Sequence, residues 1–342
     1  MSGERTHEDR LAREMLASRS MQRDFEDPDA FAAAIPGGRF GVLPYDDAAF
    51  RARARLSNLS DGLTEGAVVR AVRAAGPVSM RSEFIGSPQG ITFLFAADPA
   101  PPARLDGRTL GDGLVMRRPG DTPHLRTWGE TEMVAVVLFR DMLQRAAAAL
   151  TGRELARLRD GPASAAGVDP VRMRALRRTN RDIARAMREP AVARAPSGAL
   201  LMRRRLVADL VEALQTDALR RDHLATRLQT ASMARIERHI DETRDSPGGL
   251  QDLCEATGLA LRTVETIVKR RTGVSAHAYL ARRRLAFARA ALLAPSGETS
   301  VTRLAMHHGF FHLGRFAGFY RQVYGERPSD TLRRSLGRAA ED

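Results

Sequence analysis

The chain has 342 residues, a formal net charge of +13 at pH 7 and one cysteine, Cys254. A single cysteine excludes an intrachain disulfide and a metal site built from several thiolates. The sequence lacks both a run of about 18 apolar residues and the apolar centre of a signal peptide in its charged start, MSGERTHEDRLARE. These features predict a cytoplasmic protein with no membrane span.

The positive charge is concentrated in the second half of the chain. Residues 1–150 carry 19 arginines against 20 acidic residues, residues 151–230 carry 17 against 9, and residues 231–342 carry 18 basic residues against 12. A near-neutral front and a basic back are typical of a sensor joined to a part that binds polyanions. Solvated basic helix faces explain any one helix, but they explain the whole asymmetry less easily.

The first 140 residues divide into a leader and a strand-rich region. Residues 1–30 are predicted to form a polar leader with one helical patch, Leu11 to Met21. Residues 31–140 alternate Gly and Pro breaks with short apolar runs, which favours a β-barrel or jelly roll. Asp106-Gly107 predicts a hairpin turn, because Asp-Gly supplies the positive φ that such turns need. The strand-like runs are Ala67 to Ala74, Ile91 to Ala97, Leu114 to Arg117 and Met133 to Phe139.

The strand-rich region offers few residues for chemistry. His124 is the only histidine between residues 8 and 222, whereas a metal-dependent barrel enzyme needs two or three histidines and a carboxylate. No nucleophile elbow, phosphate-binding loop or dinucleotide fingerprint occurs. Trp128 either lines a pocket or belongs to the core. We therefore predict no enzyme activity, no metal and no cofactor.

Residues 141–230 are predicted to be helical and to link the front of the chain to its back. A break at Gly161 to Pro170 is interpreted as a loop. An apolar seam is formed by Leu206, Leu210, Leu214 and Leu219. This seam fits either a homodimer contact with the same helix of a second chain or packing against the chain's own barrel.

Two helix-turn-helix patterns follow. In the first, Ser246-Pro247 is predicted to open a helix that Gly258 ends, and a second helix covers Leu261 to Arg271. In the second, Thr299 or Ser300 caps a helix from Val301, and Gly309 makes the turn. The next helix has an apolar face of Phe316, Phe319, Tyr320 and Val323. Exposed arginines on the second helix of such a unit are how proteins place a helix in the major groove of DNA.

One long helix, Ala276 to Leu293, is predicted between the two motifs, with Ala281, Leu285, Ala288 and Leu292 as its buried stripe. At about 1.5 Å per residue it spans on the order of 27 Å. A rod of that length can hold two recognition helices near the roughly 34 Å spacing of successive major grooves. One chain could therefore read two grooves on one face of the double helix.

Residues 231–336 resemble the two-motif DNA-binding domain of the AraC/XylS family of bacterial transcription regulators. The resemblance implies an α+β multidomain protein: a cupin-like β-barrel sensor at 31–140, the helical linker, this all-α domain and a tail at 337–342. It also implies double-stranded promoter DNA, RNA polymerase and a small effector as partners. The matching residues are Ile236, Ile240, Leu253, Gly258, Arg262, Thr263, Val264, Lys269, Thr272, Gly273, Val274, Ser275, Tyr279, Leu280, Arg284, Leu285, Ala288, Val301, Leu304, Ala305, Gly309, Phe310, Phe316, Tyr320, Arg321, Tyr324, Gly325 and Pro328.

The resemblance also implies which residues bind DNA. Base-reading positions fall on Arg262, Glu265 and Thr266 in the first motif. In the second motif they fall on His312, Leu313, Gly314, Arg315 and Gly318. Lys269, Arg270 and Arg321 join them as DNA-binding residues, and we expect Arg315 and Arg321 to contact mainly phosphates. Ala260, Val268 and Ala276 stand where the family often has a capping Ser/Thr, an aromatic residue and a proline.

Several alternatives remain at this point. Glu265 can instead pair with Lys269 at i,i+4. His307, His308 and His312 are better explained by solvated or packing roles than by a metal. The front region is either an effector sensor, whose effector-binding residues the sequence does not identify, or a ligand-free protein-interaction module. A small-molecule enzyme fused to a DNA anchor is disfavoured by the missing nucleophile and histidines.

Overall fold

The computed structural model describes residues 20–35, 38–44, 50–59, 67–75, 78–84, 90–100, 103–111, 113–118, 121–153, 155, 165–215, 224–245, 248–295 and 299–339. The strands are β1 Ser20–Phe25, β2 Gly38–Pro44, β3 Ala52–Asn58, β4 Ala67–Ala74, β5 Val78–Phe84, β6 Gly90–Ala96, β7 Ala103–Leu105, β8 Arg108–Thr109, β9 Gly113–Arg117, β10 His124–Thr127, β11 Thr131–Phe139 and β12 Ala165–Gly167. The helices are α1 Pro28–Ala34, α2 Arg140–Thr151, α3 Pro170–Ala186, α4 Pro190–Arg194, α5 Pro196–Leu214, α6 Leu224–Glu242, α7 Leu250–Thr257, α8 Leu261–Thr272, α9 Ala276–Leu293, α10 Val301–His307, α11 Leu313–Tyr324 and α12 Pro328–Ala339.

The chain divides into two compact units. The first contains the strands and helices α1 to α5, apart from the last two residues of β2, and the second contains helices α6 to α12. No helix in the described part of the chain combines the length and the apolar character needed to cross a bilayer.

The strands of the first unit form two antiparallel sheets. One has seven strands in the order β1-β3-β4-β11-β6-β9-β12, and the other has five in the order β2-β5-β10-β7-β8. Neither sheet closes on itself among the described strands, so the predicted cupin-like barrel is not confirmed. The four strand-like runs named from the sequence are β4, β6, β9 and β11.

The central strand β11 explains the layering of the first unit. Its side chains alternate, so Val134, Val136 and Leu138 are buried with the helices while Met133 is buried on the face toward the smaller sheet. Strands with both faces buried read as continuous apolar runs, as this one does. The unit is therefore a layer of helices, the seven-stranded sheet and the five-stranded sheet.

The predicted hairpin at Asp106-Gly107 is confirmed. Both residues have positive φ, 53° and 78°, and they connect β7 to β8. The Asp106 carboxylate accepts a bond from the His124 backbone N–H at 2.8 Å and pairs with the buried Arg117. This carboxylate therefore fixes the hairpin against two further strands.

Three sequence predictions for the first unit are corrected. The polar leader does not extend to residue 30, because β1 pairs with β3 and α1 begins at Pro28. The helical patch predicted from Leu11 to Met21 does not extend to Met21, because Ser20 and Met21 belong to β1. Its residues 11–19 lie outside the described residues. The predicted loop after residue 160 contains β12, which pairs with β9.

The leucine seam lies inside the first unit. Leu206, Leu210 and Leu214 are at most 5% exposed and pack in the same core as the seven-stranded sheet. Leu219 lies outside the described residues. These three side chains are therefore used within the chain, and they do not offer a surface for a second copy.

The second unit has two apolar clusters, and α9 contributes to both. Tyr279 and Leu280 at its start pack with α6, α7 and α8. Leu285, Ala288 and Leu292 pack with α10 and α11. The bounds of α9 match the sequence prediction. Because one continuous helix belongs to both clusters, it fixes the position of one motif relative to the other.

Candidate nucleic-acid interface

The first helix-turn-helix consists of α7, a turn at Gly258 and α8. Gly258 has φ of 63°, and Gly273 at the end of α8 has φ of 81°. Both are left-handed conformations that glycine adopts without steric cost. The structure begins α7 at Leu250, later than the sequence prediction, and the Asp252 carboxylate accepts the Gly249 N–H. Ser246 and Pro247 lie outside the described residues.

One face of α8 is exposed and basic. At 100° per residue, Arg262, Thr266 and Lys269 lie within one stripe, and all three are exposed together with Arg270. The opposite stripe, Val264, Ile267 and Val268, is buried. The Thr266 hydroxyl donates to the Arg262 carbonyl at 2.7 Å. Thr266 therefore presents mainly its methyl group outward.

Glu265 is held by the helix that follows. Its Oε2 accepts the Ala276 backbone N–H at 3.1 Å, and its Oε1 lies 3.5 Å from His277 Nδ1. Ala276 is the first residue of α9, where a proline would have no N–H to offer. The carboxylate therefore joins α8 to the start of α9.

We expect Glu265→Ala to destabilise the second unit by about 1 kcal/mol, because it leaves the first N–H of α9 without its acceptor. Glu265→Gln keeps an acceptor oxygen and should cost less. Urea unfolding of the full chain measures both changes. If the two variants instead unfold like the wild type and both lose preference at one base pair, the residue reads DNA and does not cap α9.

The second helix-turn-helix consists of α10, a turn at Gly309 and α11. The Ser300 hydroxyl accepts the Arg303 N–H at 3.2 Å, so Ser300 is the cap of α10. Gly309 has φ of 80° and Gly325, after α11, has φ of 74°. Pro328 begins α12, a helix that the sequence patterns did not predict.

The outer face of α11 carries two arginines with two glycines between them. Arg315 and Arg321 are exposed, and Gly314 and Gly318 lie between them on the helix surface. A Cβ built at either glycine meets no atom within 4 Å. Local packing therefore does not require these glycines. The surface between the two arginines is open backbone.

The other predicted residues of the second motif differ in exposure. His312 is the exposed residue just before α11, and its side chain makes no capping bond. Leu313 is half-buried and packs against the apolar cluster around Phe316. Phe311, which the sequence prediction missed, is 76% exposed. Its neighbour Phe310 packs on Phe316 with ring centroids 5.0 Å apart.

A buried polar network stabilises the second motif. Arg289 of α9 is 1% exposed. Its Nη1 donates to Glu326 Oε1 at 3.0 Å and to the Tyr320 hydroxyl at 3.2 Å. Thr331 donates to the same Glu326 oxygen at 2.8 Å, and Arg334 binds both carboxylate oxygens. The network joins α9 to the end of α11 and the start of α12.

The charges of this network shift the titration of its members. Burial raises the pKa of Tyr320 above its ordinary value, against the opposing effect of Arg289. Burial alone would raise the pKa of Glu326, but hydrogen bonds from Arg334, Thr331 and Arg289 hold it below its ordinary value. Glu326 is thus a stabilised carboxylate.

Two further contacts join the motifs. Arg284 of α9 donates to the Gly248 carbonyl ahead of α7. Its guanidinium also lies 3.4 Å from the position of a Cβ on Gly309. His308 Nδ1 donates to the Arg244 carbonyl at 3.1 Å, and burial lowers the pKa of His308. The turn of the second motif is therefore connected, through Arg284 and His308, to the segment between α6 and α7.

Two helix-turn-helix motifs with basic outer faces, fixed by one shared helix, define a DNA-binding domain. Residues 253–334 match the family described as a helix-turn-helix domain. The XylDLEGF operon transcriptional activator 1 of Pseudomonas putida is 38% identical over 104 residues, which are 30% of this chain and 31% of that relative. The transcriptional activator RhrA of Rhizobium meliloti (strain 1021) is 32% identical over 102 residues, which are 30% of this chain and 32% of that relative.

Among solved structures, a probable AraC family transcriptional regulator from Rhodopseudomonas palustris CGA009 is 33% identical, covering 31% of this chain and 97% of that chain with a TM-score of 0.29. The chain spans about a third of the length of the two activators named above. The matched part of the chain is therefore a DNA-binding domain of the AraC/XylS type.

Proposed function

We propose that the protein is a sequence-specific DNA-binding transcription regulator, and that it activates transcription from the promoters it binds. The observation that carries this proposal is the attachment of both motifs to α9. A helix-turn-helix reads bases through the exposed side of its second helix. Two such helices on one rod fit two successive major grooves.

The exposed residues of the two recognition helices suggest different roles. Arg262 can bond O6 and N7 of guanine, which is the commonest specific contact in the major groove. Thr266 fits an apolar contact with a thymine methyl group. Lys269 and Arg270 lie in the last turn of α8 and suit phosphates, as do Arg315 and Arg321 on α11. Phosphate contacts position a protein without specifying sequence.

The second motif suits fewer base contacts than the first. Gly314 and Gly318 have no side chain, and Leu313 serves the core. His312 and Phe311 are the exposed side chains just before α11, and N-terminal residues of a recognition helix are those that reach base edges. We therefore assign base contact in this motif to these two residues.

Phe311 is expected to contact a thymine methyl group, since its ring is left in solvent beside the start of α11. Replacing each thymine of the second box by deoxyuridine removes that methyl group alone. At one position this replacement should weaken binding of the wild type several-fold. At the same position it should not change the affinity of Phe311→Ala, which has already lost the contact. Equal sensitivity of both proteins at every position would remove Phe311 from the interface.

Gly318→Ala is expected to stabilise α11 by up to about 1 kcal/mol, because alanine is the better helix former and the site is open. If the bare backbone lies close to DNA, the same change should weaken operator binding several-fold. Gly337→Ala in α12 is the matched control, since it is also open and helical. The control should gain stability without losing affinity. Unchanged binding by Gly318→Ala would mean that α11 does not approach the DNA so closely at this point.

We further propose that the first unit binds a small effector and that the regulator acts as a homodimer that contacts RNA polymerase. The site we propose for the effector is the apolar contact between the two sheets, where Leu94, Val115, Leu125 and Met133 pack together. A ligand shifts an equilibrium only by its differential affinity for two states. A compound that raises the melting temperature of the first unit should therefore also change promoter output.

The alternative is a regulator whose first unit is a protein-interaction module without a ligand. A screen in which stabilising compounds never alter promoter output, while a protein partner does, would favour this alternative. A fused enzyme would be favoured instead by turnover of a stabilising compound.

Enrichment of genomic fragments by the purified full chain tests the proposed function. At physiological salt with competitor DNA, we expect a few enriched sites, each with two short boxes about one helical turn apart. Diffuse enrichment that disappears with salt would show that the second unit binds polyanions without sequence preference.

A further inference from the structure

The helix α3 of the first unit carries a row of arginines that the proposed function does not use. Arg174, Arg178, Arg181 and Arg185 lie on α3, and Arg188 lies in the turn that follows it. Their spacing alternates between four and three residues, so at 100° per residue they share an arc of about 80°. All five side chains are exposed. We call these five residues the arginine stripe.

The rest of α3 fixes the arginine stripe in place. Its opposite face buries Met173, Leu176 and Ile183 in the core of the first unit. Arg177 donates to the carbonyls of Ala96 and Gly111, each at 3.0 Å. The helix is therefore anchored by other residues, and folding does not require the guanidinium groups of the stripe.

The arginine stripe has no acidic partners within the part of the chain that the structure describes. None of its five residues makes a salt bridge or a side-chain hydrogen bond there, although other arginines of the same unit do, such as Arg53 with Asp24 and Arg73 with Glu130. Like charges at i,i+4 destabilise a helix. Among the described residues, the first unit thus maintains a row of five cations without acidic partners, at a cost to its own helix.

We propose that the arginine stripe binds the phosphate backbone of double-stranded DNA, as a second contact surface outside the two helix-turn-helix motifs. This inference rests on the proposed function, which brings the chain to DNA. From residue 174 to residue 188 the row extends about 21 Å at 1.5 Å per residue. Duplex DNA presents one negative charge per roughly 1.7 Å of its axis, and the arginine fork matches phosphate geometry.

A membrane surface fits this helix less well. Helices that bind in the lipid interface insert an apolar face beside their basic one. The apolar face of α3 is already buried in the protein core. DNA needs only the cations, because a phosphate contact carries no apolar requirement.

The salt dependence of DNA binding tests the arginine stripe. Each lost phosphate contact should reduce the slope of log K against log salt by about 0.9. The full chain with Arg178→Gln, Arg181→Gln and Arg185→Gln should therefore lose about 2 to 3 from its slope on a long duplex. The loss should appear equally on a duplex with and without an enriched site, so the preference for that site should not change.

The matched control neutralises Arg23, Arg51 and Arg153, which are exposed arginines of the same unit outside the stripe. We expect no change of slope for this control. Equal losses for both variants, or no loss for the stripe variant, would overturn the proposal. Loss of binding only to anionic vesicles or to polyglutamate would also overturn it, in favour of another polyanion. The slope difference between the stripe variant and the wild type on a duplex without an enriched site does not depend on sequence-specific binding. Failure of sequence-specific binding by the wild type would therefore be recognised separately.

Discussion

Arg289→Ala is expected to destabilise the second unit by about 3 kcal/mol, the lower end of the cost of breaking a buried ion pair. The guanidinium lies 4.3 Å from the centroid of the Tyr324 ring and bonds both Tyr320 and Glu326. Its removal leaves the Tyr320 hydroxyl with fewer partners and opens a space between α9 and α11. Glu326 keeps Arg334, which limits the loss.

The intrinsic signals of tryptophan and tyrosine report on the two units separately during unfolding. Trp128 is the only tryptophan and lies in the first unit, whereas Tyr279, Tyr320 and Tyr324 lie in the second. In urea unfolding, the tyrosine transition should move to lower denaturant while the tryptophan transition stays in place. A shift of both transitions, or of the tryptophan alone, would show that Arg289 does not act within the second unit.

Arg334→Ala is the control for this prediction, because it removes a bond to the same carboxylate from a side chain that is 43% exposed. Exposed ion pairs contribute at most about 1 kcal/mol. The control should therefore cost much less than Arg289→Ala. Equal costs would mean that burial of Arg289 contributes little.

Arg262→Ala is expected to weaken specific DNA binding by about 1–3 kcal/mol and to relax the choice at one base pair of the first box. The side chain is exposed and makes no ion pair among the described residues. The variant should therefore fold like the wild type. Binding to a set of single-base operator variants measures both the loss and its position.

Arg270→Ala is the comparison for Arg262→Ala, since it also removes an exposed arginine from α8. As a phosphate contact it should weaken binding to all sequences alike and lower the salt slope by about 1. If Arg262→Ala also weakened every sequence equally, it would be a phosphate contact and the base-reading assignment would be wrong.

The two helix-turn-helix motifs of the second unit were predictable because their signals are local. Gly258 and Gly309 mark turns by the positive φ they adopt, and Ser300 caps α10 because its hydroxyl accepts the Arg303 N–H three residues on. The apolar period of α9 gave its bounds. Each of these depends on residues within one or two helical turns, so a single sequence contains the information.

The parts that could not be predicted depend on residues far apart in the chain. Arg289 looks like a solvated helix position in the sequence, because no local pattern shows that Glu326, 37 residues further on, lies beside it. The sequence offers two interpretations of Glu265, a base contact and a pair with Lys269, and neither indicates its bond to the Ala276 N–H at 3.1 Å. Likewise, the order of strands in the larger sheet depends on the pairing of β11 with β4 and β6. These strands are far apart in the chain, and the apolar pattern of each strand is the same in a barrel as in two open sheets.

The measurement that tests the central claim most directly is operator binding as the spacing between the two boxes is changed. Since α9 fixes both motifs, inserting half a helical turn of DNA, about 5 base pairs, puts the second box on the opposite face of the duplex. The full chain should then bind only as tightly as it binds a single box. Equal affinity at every spacing would contradict a rigid reader of two successive grooves.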